Sequence, residues 1–299
     1  MIKRCFFSVF LLVIACFFSQ FSFAHNQDSI QSKSLEFIEN KGQWNENIYF
    51  QANLHSGRMF LENNSISYVF YDQEAVHNLL HFKLLDFEER EKRTIPKDSI
   101  DFHAYRIHFS NSNTNCKPIG KYQKHDYNNY YLGNNPKKWA SSVKKFHEVI
   151  YTNLYEGIDL RLYQDHHLLK YDFHIKEGAN PKMIEMYYEA VDNIAIVNGN
   201  LQIKTKISKV IELKPYAYQI DDNGNEITVP CKFRLKKNTV SFVFPKSYDK
   251  TKELIIDPVL IFSSYSGSTA DNWGYTATYD LEGHLYLSLI HISEPTRPY

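Results

Sequence analysis

Tyr216–Phe244 reads YAYQIDDNGNEITVPCKFRLKKNTVSFVF, and its punctuation decides the fold class. Apolar and polar residues alternate with a period of two, the pattern of a half-buried strand. Asn223-Gly224 and Lys237-Asn238 separate the alternating runs. A two-residue turn at Asn223-Gly224 predicts Ile220 opposite Ile227 and Tyr218 opposite Val229. A turn at Lys237-Asn238 sets Leu235 against Val240 and Phe233 against Phe242. Residues 216–244 are therefore expected to form a three-stranded meander with one apolar face, which has to pack on another sheet.

The same device recurs along the chain. Asn198-Gly199 tolerates the positive φ of a type I′ turn and pairs Ile196 with Leu201 and Ile194 with Ile203. Asn63-Asn64 pairs Leu61 with Ile66 and Met59 with Tyr68. A turn at Asp165-His166 predicts Asp159 opposite Asp172 and Arg161 opposite Lys170, with Asp159–Lys170 and Arg161–Asp172 as the attractive diagonals. Ile158, Leu160, Leu162, Leu169, Tyr171 and Phe173 then share the other face. This reads as a solvated charge lattice over a buried apolar face. A paired-carboxylate glycosidase site would need a cleft that a flat sheet does not supply. One stretch departs from the pattern: Asp72–Lys97 carries AVHNLLHFKLL at a near-helical period before EEREKR, a short helix or a mobile insertion. The expected fold is all-β, antiparallel and β-sandwich-like over residues 35–258, as one large domain or as two lobes with a boundary near residue 145.

Lys+Arg and Asp+Glu balance at 34 each, so no global field draws in nucleic acid, and no nucleic-acid partner is expected. The 22 Tyr and 21 Phe suit packed strands, and secondarily a sugar-stacking surface. Met1–Ala24 has a basic start, an apolar run and the small-x-small finish Ser22-Phe23-Ala24, a secretory signal peptide cleaved after Ala24. Residues 25–34 read as a linker. Val13-Ile14-Ala15-Cys16 has the shape of a lipidation box, but Phe17, Phe18, Phe21 and Phe23 carry the apolar segment past it. The localisation expected is extracellular or at the outer cell surface.

After signal removal only Cys116 and Cys231 remain. A Cys116–Cys231 bridge is one reading; a small buried thiol at Cys231 is the other. Asn128–Trp139, NNYYLGNNPKKW, is a turn-rich stretch in which Tyr130, Tyr131 and Trp139 are candidate ligand contacts. Trp139 is equally suited to plugging a core edge beside Val143. His77 and His81 stand four apart, but the Glu of the H-E-x-x-H pattern is replaced by Asn78, and surface histidines are the better reading. No catalytic residue, metal or cofactor is assigned.

The strings FIENKGQW, MFLENNSISYVF, NYYLGNNPKKWASSV, NLYEGIDLRLY, LKYDFHIKEGANP and LIIDPVLIFSSYSGSTADNWG together resemble one uncharacterised domain. It stands at the front of large secreted surface proteins of the Bacteroidetes type, and the similarity covers roughly Leu35–Pro258. The resemblance implies that β-propeller repeats follow, then immunoglobulin-like modules and a sorting domain for type IX secretion or gliding motility. Residues 259–286 resemble the first such repeat, cut short. Residues 287–299, LSLIHISEPTRPY, resemble a translated sequencing-library adapter. The function expected is a non-enzymatic extracellular architectural or binding module of a larger protein. The alternative is part of a secreted polysaccharide-active hydrolase or lyase. The partners expected are the downstream propeller and sorting modules, together with an extracellular glycan or protein.

Overall fold

The computed structural model describes residues 35–54, 57–72, 75–76, 82, 100–131, 134–165, 168–264, 273–279 and 285–290. Its strands are β1 (Phe37–Glu39), β2 (Phe50–Leu54), β3 (Gly57–Leu61), β4 (Ser65–Tyr71), β5 (Phe102–Phe109), β6 (Ile119–Tyr130) and β7 (Ala140–Tyr155). They continue with β8 (Ile158–Asp165), β9 (Leu168–Ile175), β10 (Glu185–Glu189), β11 (Asn193–Val197), β12 (Asn200–Lys204), β13 (Ser208–Glu212) and β14 (Tyr216–Ile220). The last are β15 (Glu226–Thr228), β16 (Lys232–Lys236), β17 (Thr239–Val243), β18 (Leu254–Asp257), β19 (Leu260–Ser264), β20 (Trp273–Tyr279) and β21 (Leu285–Ile290). The protein is nearly all-β and its sheets are antiparallel, as the alternation in the sequence indicated.

The main sheet runs β15-β14-β18-β9-β8-β7-β1-β2-β3-β4-β5-β10-β17-β16, with β6 added to β7. This path is not a straight row: β8 and β1 both pair with the same edge of β7 and leave it as two arms, one ending in β15 and the other in β16. Only Val229, Pro230 and Cys231 connect β15 to β16, and that linker spans at most about 14 Å. The far ends of the two arms therefore lie close together. β7 is the spine of both arms. Its residues 145–146 pair with β1 and residues 148–155 with β8 on one edge, while β6 takes the other. Residue 145, considered as a lobe boundary, falls inside this continuous strand.

A four-stranded sheet, β11-β12-β13-β19, lines the same interior. Ile194, Leu201, Ile203, Val210 and Leu260 join one core with Met59, Tyr68, Leu160, Phe173, Tyr188 and Phe242. Tyr68, Phe70, Tyr105 and Tyr188 stack in series through its centre. Among these rings lies a carboxylate. Glu212 is fully buried, and accepts hydrogen bonds from the Tyr171 and Tyr188 hydroxyls, each at 2.8 Å.

Three expected hairpin registers are present: Leu61 opposite Ile66, Ile196 opposite Leu201, and Leu235 opposite Val240. Two are corrected. At Asn223-Gly224 the Asp221 carboxylate accepts from the backbone N–H groups of Asn223 and Asn225, making a longer loop with Gly224 at φ +83. Ile220 therefore faces Glu226 and Tyr218 faces Thr228, and both Ile220 and Ile227 stay exposed. The meander over 216–244 does not exist either, since β15 and β16 sit at opposite ends of the strand path. Pro230 has no N–H to continue a ladder, and the chain crosses there instead.

The second correction concerns the β8–β9 hairpin. Asp165 pairs with Leu168, two residues out of the register that a turn at 165–166 would set. Arg161 is opposite Asp172, and Asp159 is opposite His174. A shift of two residues preserves the faces, so Leu160 and Leu162 are buried as expected.

In the 72–97 insertion, Ala75 and Val76 are helical, and the Asp72 carboxylate caps them by accepting from Ala75 N at 3.0 Å. His77 and His81 lie outside the described residues. Leu260–Ser264, read from sequence as the start of the next unit, is instead the fourth strand of the smaller sheet, paired with β13. β20 and β21 form a two-stranded sheet of their own.

Candidate functional site

Two surfaces gather the chemistry that the sequence singled out. The first is the edge made by β6, which among the described strands pairs with β7 alone. Tyr122 and Tyr127 stand exposed on it. Beyond its end, a 3₁₀ turn at Pro136–Lys138 is held by the Asn135 side chain, which accepts from Lys137 N at 3.1 Å. That turn sets Trp139 edge-on to Tyr131, ring centroids 5.7 Å apart, and both rings are exposed. Tyr130 points elsewhere: it meets Trp44 edge-on at 5.7 Å over Ile38, Ala140 and Val143. The core-edge plug considered for Trp139 is thus supplied by Trp44 and Tyr130. Asn40 positions Trp44, since its side chain donates to Asn45 O and Ile48 O and accepts from Gly42 N and Trp44 N.

The second surface is the outer face of β7-β8-β9-β18-β14. The β9–β18 register runs from Leu254–Ile175 to the Lys170–Val259 bridge, and so sets Asp257 opposite Asp172. Directly facing residues on one sheet face have Cβ atoms about 4.5–5.5 Å apart. Arg161 approaches Asp172 from β8 at 3.9 Å and pairs with Glu148 at 2.7 Å. Lys170 pairs with Asp257 at 2.8 Å and with Asp165 at 3.4 Å. The Tyr163 hydroxyl donates to Asp172 at 3.3 Å, and the Arg161 guanidinium lies 4.2 Å over the Tyr163 ring. Tyr216 and Tyr218 stack on each other along β14 at 5.6 Å.

This face is not the solvated lattice that the sequence suggested. Asp172 is 4% exposed and Glu148 5%. Burial, reinforced by the charge of Asp257, pushes the Asp172 carboxyl up to about 6. Asp257 Oδ1 and His174 Nε2 are buried without a hydrogen-bond partner. Of the two expected pairs, Arg161–Asp172 is present, though between directly facing residues, and Asp159–Lys170 is not. Asp159 pairs with Lys176 at 3.1 Å, while Lys170 turns to Asp257. Asp257 went unnoticed in the sequence because it lies far along the chain from the hairpin and is brought to it only by strand order, and Glu148 because the β7–β8 register shifts between Tyr151 and Tyr155.

The family model described as Domain of unknown function (DUF7948) matches residues 37–259. The chain belongs to this family. Its matched span begins at the first residue of β1 and ends just before β19, and agrees with the resemblance over Leu35–Pro258. No curated protein and no solved structure matches the chain. The DUF7948 domain thus holds both candidate surfaces, the charged face and the aromatic edge.

The two cysteines of the DUF7948 domain are free thiols, so the Cys116–Cys231 bridge is not formed. Cys116 is buried between β5 and β6 and donates to Thr152 O at 3.3 Å. Burial, with Asp159 nearby, pushes its thiol up to about 11. Burial takes Cys231, in the β15–β16 crossing, to about 12. Such thiols are poor nucleophiles and poor metal ligands at neutral pH. Among the described residues, no three His, Cys, Asp or Glu side chains converge as metal ligands would.

Proposed function

We propose that the DUF7948 domain is a non-enzymatic binding and architectural module, exported through its signal peptide and displayed outside the cell or on its outer surface. In this reading it belongs to a larger protein of the Bacteroidetes type, with propeller and sorting modules as covalent neighbours and an extracellular glycan or protein as its ligand. The observation that carries it is the contrast between the two surfaces. The acids of the outer face are tied into ion pairs and hydrogen bonds. Tyr122, Tyr127, Tyr131 and Trp139 instead stand exposed along an edge and beyond it. Exposed aromatic rings offer large contact area at low entropic cost, as sugar and protein recognition requires.

The test is binding of the full chain to immobilised extracellular polysaccharides and envelope proteins, beside Trp139→Ala and Tyr131→Ala variants. Retention that falls at least about fivefold in both variants supports the reading, since anchors of this type dominate binding. Equal retention of wild type and variants would remove the aromatic edge from it. A second reading, a polysaccharide-active hydrolase, is favoured by the facing Asp172 and Asp257 with one carboxyl raised to about 6. Reducing-end release by the wild type, abolished in Asp172→Asn, would establish that reading instead.

A further inference from the structure

A third surface lies on the far arm of the main sheet, away from every residue that the sequence singled out. Two cross-strand rows share one face of β16-β17-β10. Arg234 is opposite Ser241, which is opposite Glu185; Lys236 is opposite Thr239, which is opposite Tyr187. The central strand therefore carries two short hydroxyl side chains, with long ones on both flanks. Short residues between long ones make a trough along β17. Together with the β16–β17 turn it forms an open hollow of about 500 Å³, bounded by Glu185, Tyr187, Arg234, Lys236, Lys237 and Thr239 among others. That volume is in the range of small-ligand sites.

The trough is electrically lopsided. Arg234, Lys236 and Lys237 form no ion pair among the described residues, against the single carboxylate of Glu185. Elsewhere on the sheet Arg106, Lys124, Lys145, Arg161 and Lys170 are paired with carboxylates, and Arg58, Lys121 and Lys144, unpaired among the described residues, do not cluster around one hollow as these three do. Lys237 also breaks a local rule. Its φ is +54, where Gly or Asn would be unstrained, yet a lysine stands at the mouth of the trough. On the opposite wall the Tyr187 ring is 42% exposed, and His108 backs it at 6.0 Å.

We propose that this trough binds an anionic saccharide, a uronate or sulfated sugar unit of an extracellular polysaccharide. The proposal rests on the binding-module reading above and adds a ligand class and a second place on the domain. Arg234 offers a planar fork for a carboxylate or sulfate, and Lys236 and Lys237 add point charges. Thr239 and Ser241 are hydroxyl partners for sugar hydroxyls on the trough floor. Tyr187 presents an aromatic face for the apolar side of a sugar ring, and this separates a saccharide from a bare phosphate.

The experiment is calorimetric titration of the full chain with polygalacturonate, dextran sulfate, neutral dextran and inorganic polyphosphate. Binding of polygalacturonate or dextran sulfate, but not neutral dextran, is expected, and the two polymers separate carboxylate from sulfate. An Arg234→Gln/Lys236→Gln double variant should lose at least about tenfold in affinity, since desolvated charge contacts of this type are the costly ones to remove. Tyr187→Ala should lose affinity for the sugar polymer while leaving polyphosphate unchanged. All three substituted side chains are exposed, so the fold should stand, as an unaltered unfolding midpoint would verify. The proposal is overturned if neither acidic polymer binds, if the double variant binds as tightly as wild type, or if Tyr187→Ala keeps full affinity. A loss seen in Trp139→Ala but not in the double variant would overturn the trough and leave the aromatic edge standing.

Discussion

Replacing Asp172 by Asn should change how stability depends on pH between 5 and 7. Asp172 is nearly sealed, and its carboxyl sits at about 6 against an ordinary value of 3.8. A carboxyl raised on folding means that the native state holds the proton more tightly. Its stabilising contribution is therefore complete below the unfolded value and disappears as pH rises through about 6. At pH 5 the native carboxyl is protonated in about ten molecules of eleven, while the unfolded one is protonated in about one of seventeen. By pH 7 both are largely ionised, so the folding constant loses about a factor of ten, or roughly 1.3 kcal/mol. Asn mimics the protonated acid and does not titrate. Urea unfolding of both proteins, followed by tryptophan fluorescence at constant ionic strength, measures the effect. On going from pH 5 to 7, the variant should gain about 1.3 kcal/mol relative to wild type. Titrating groups that do not interact with Asp172, including Glu212, cancel in that difference. Parallel pH curves for the two proteins would refute the argument. Asp257→Asn should weaken the dependence without removing it, because burial is the larger cause and remains.

Three further outcomes are expected. Tyr188→Phe strips one donor from the fully buried Glu212 and should cost about 1–3 kcal/mol by urea unfolding, the penalty of an unsatisfied buried polar group. Gly57→Ala would place a Cβ 2.1 Å from Val69 O, a backbone atom of the paired strand, and should lower stability by at least about 2 kcal/mol through forced separation of β3 and β4. Cys116 and Cys231 should resist a thiol-specific colour reagent in the native protein at pH 8 and react fully on denaturation. Rapid native labelling of both would contradict the burial of Cys116 and the raised thiols of both.

Much of the secondary structure was legible because it is local. Alternation with period two marks a strand wherever it occurs, and two-residue turns such as Asn198-Gly199 fix register within a few residues. The same reasoning slipped at Asn223-Gly224, where Asp221 wraps its own loop and inserts a residue that no hydrophobic pattern records. It slipped again at the β8–β9 turn, though a shift of two residues left the apolar face intact. Turn-rich aromatic segments stand out in sequence, but which rings are exposed does not: Tyr131 and Trp139 stand exposed while Tyr130 packs on Trp44, because neighbouring residues can face opposite ways.

What the sequence by itself determined is the all-β class, which residues of each hairpin face inward, and the family, since these depend on short-range spacing and on strings of matched residues. Tertiary structure alone decided which strands became neighbours. Strand order brings Asp257 to Asp172, Glu212 to Tyr171 and Tyr188, and Tyr187 to the hydroxyls of the β16–β17 hairpin. Those partners sit on strands from separate stretches of the sequence, and no local spacing records which strands become neighbours. Burial then sets the chemistry: the same aspartate that would be an ordinary acid in water becomes one that titrates near neutrality.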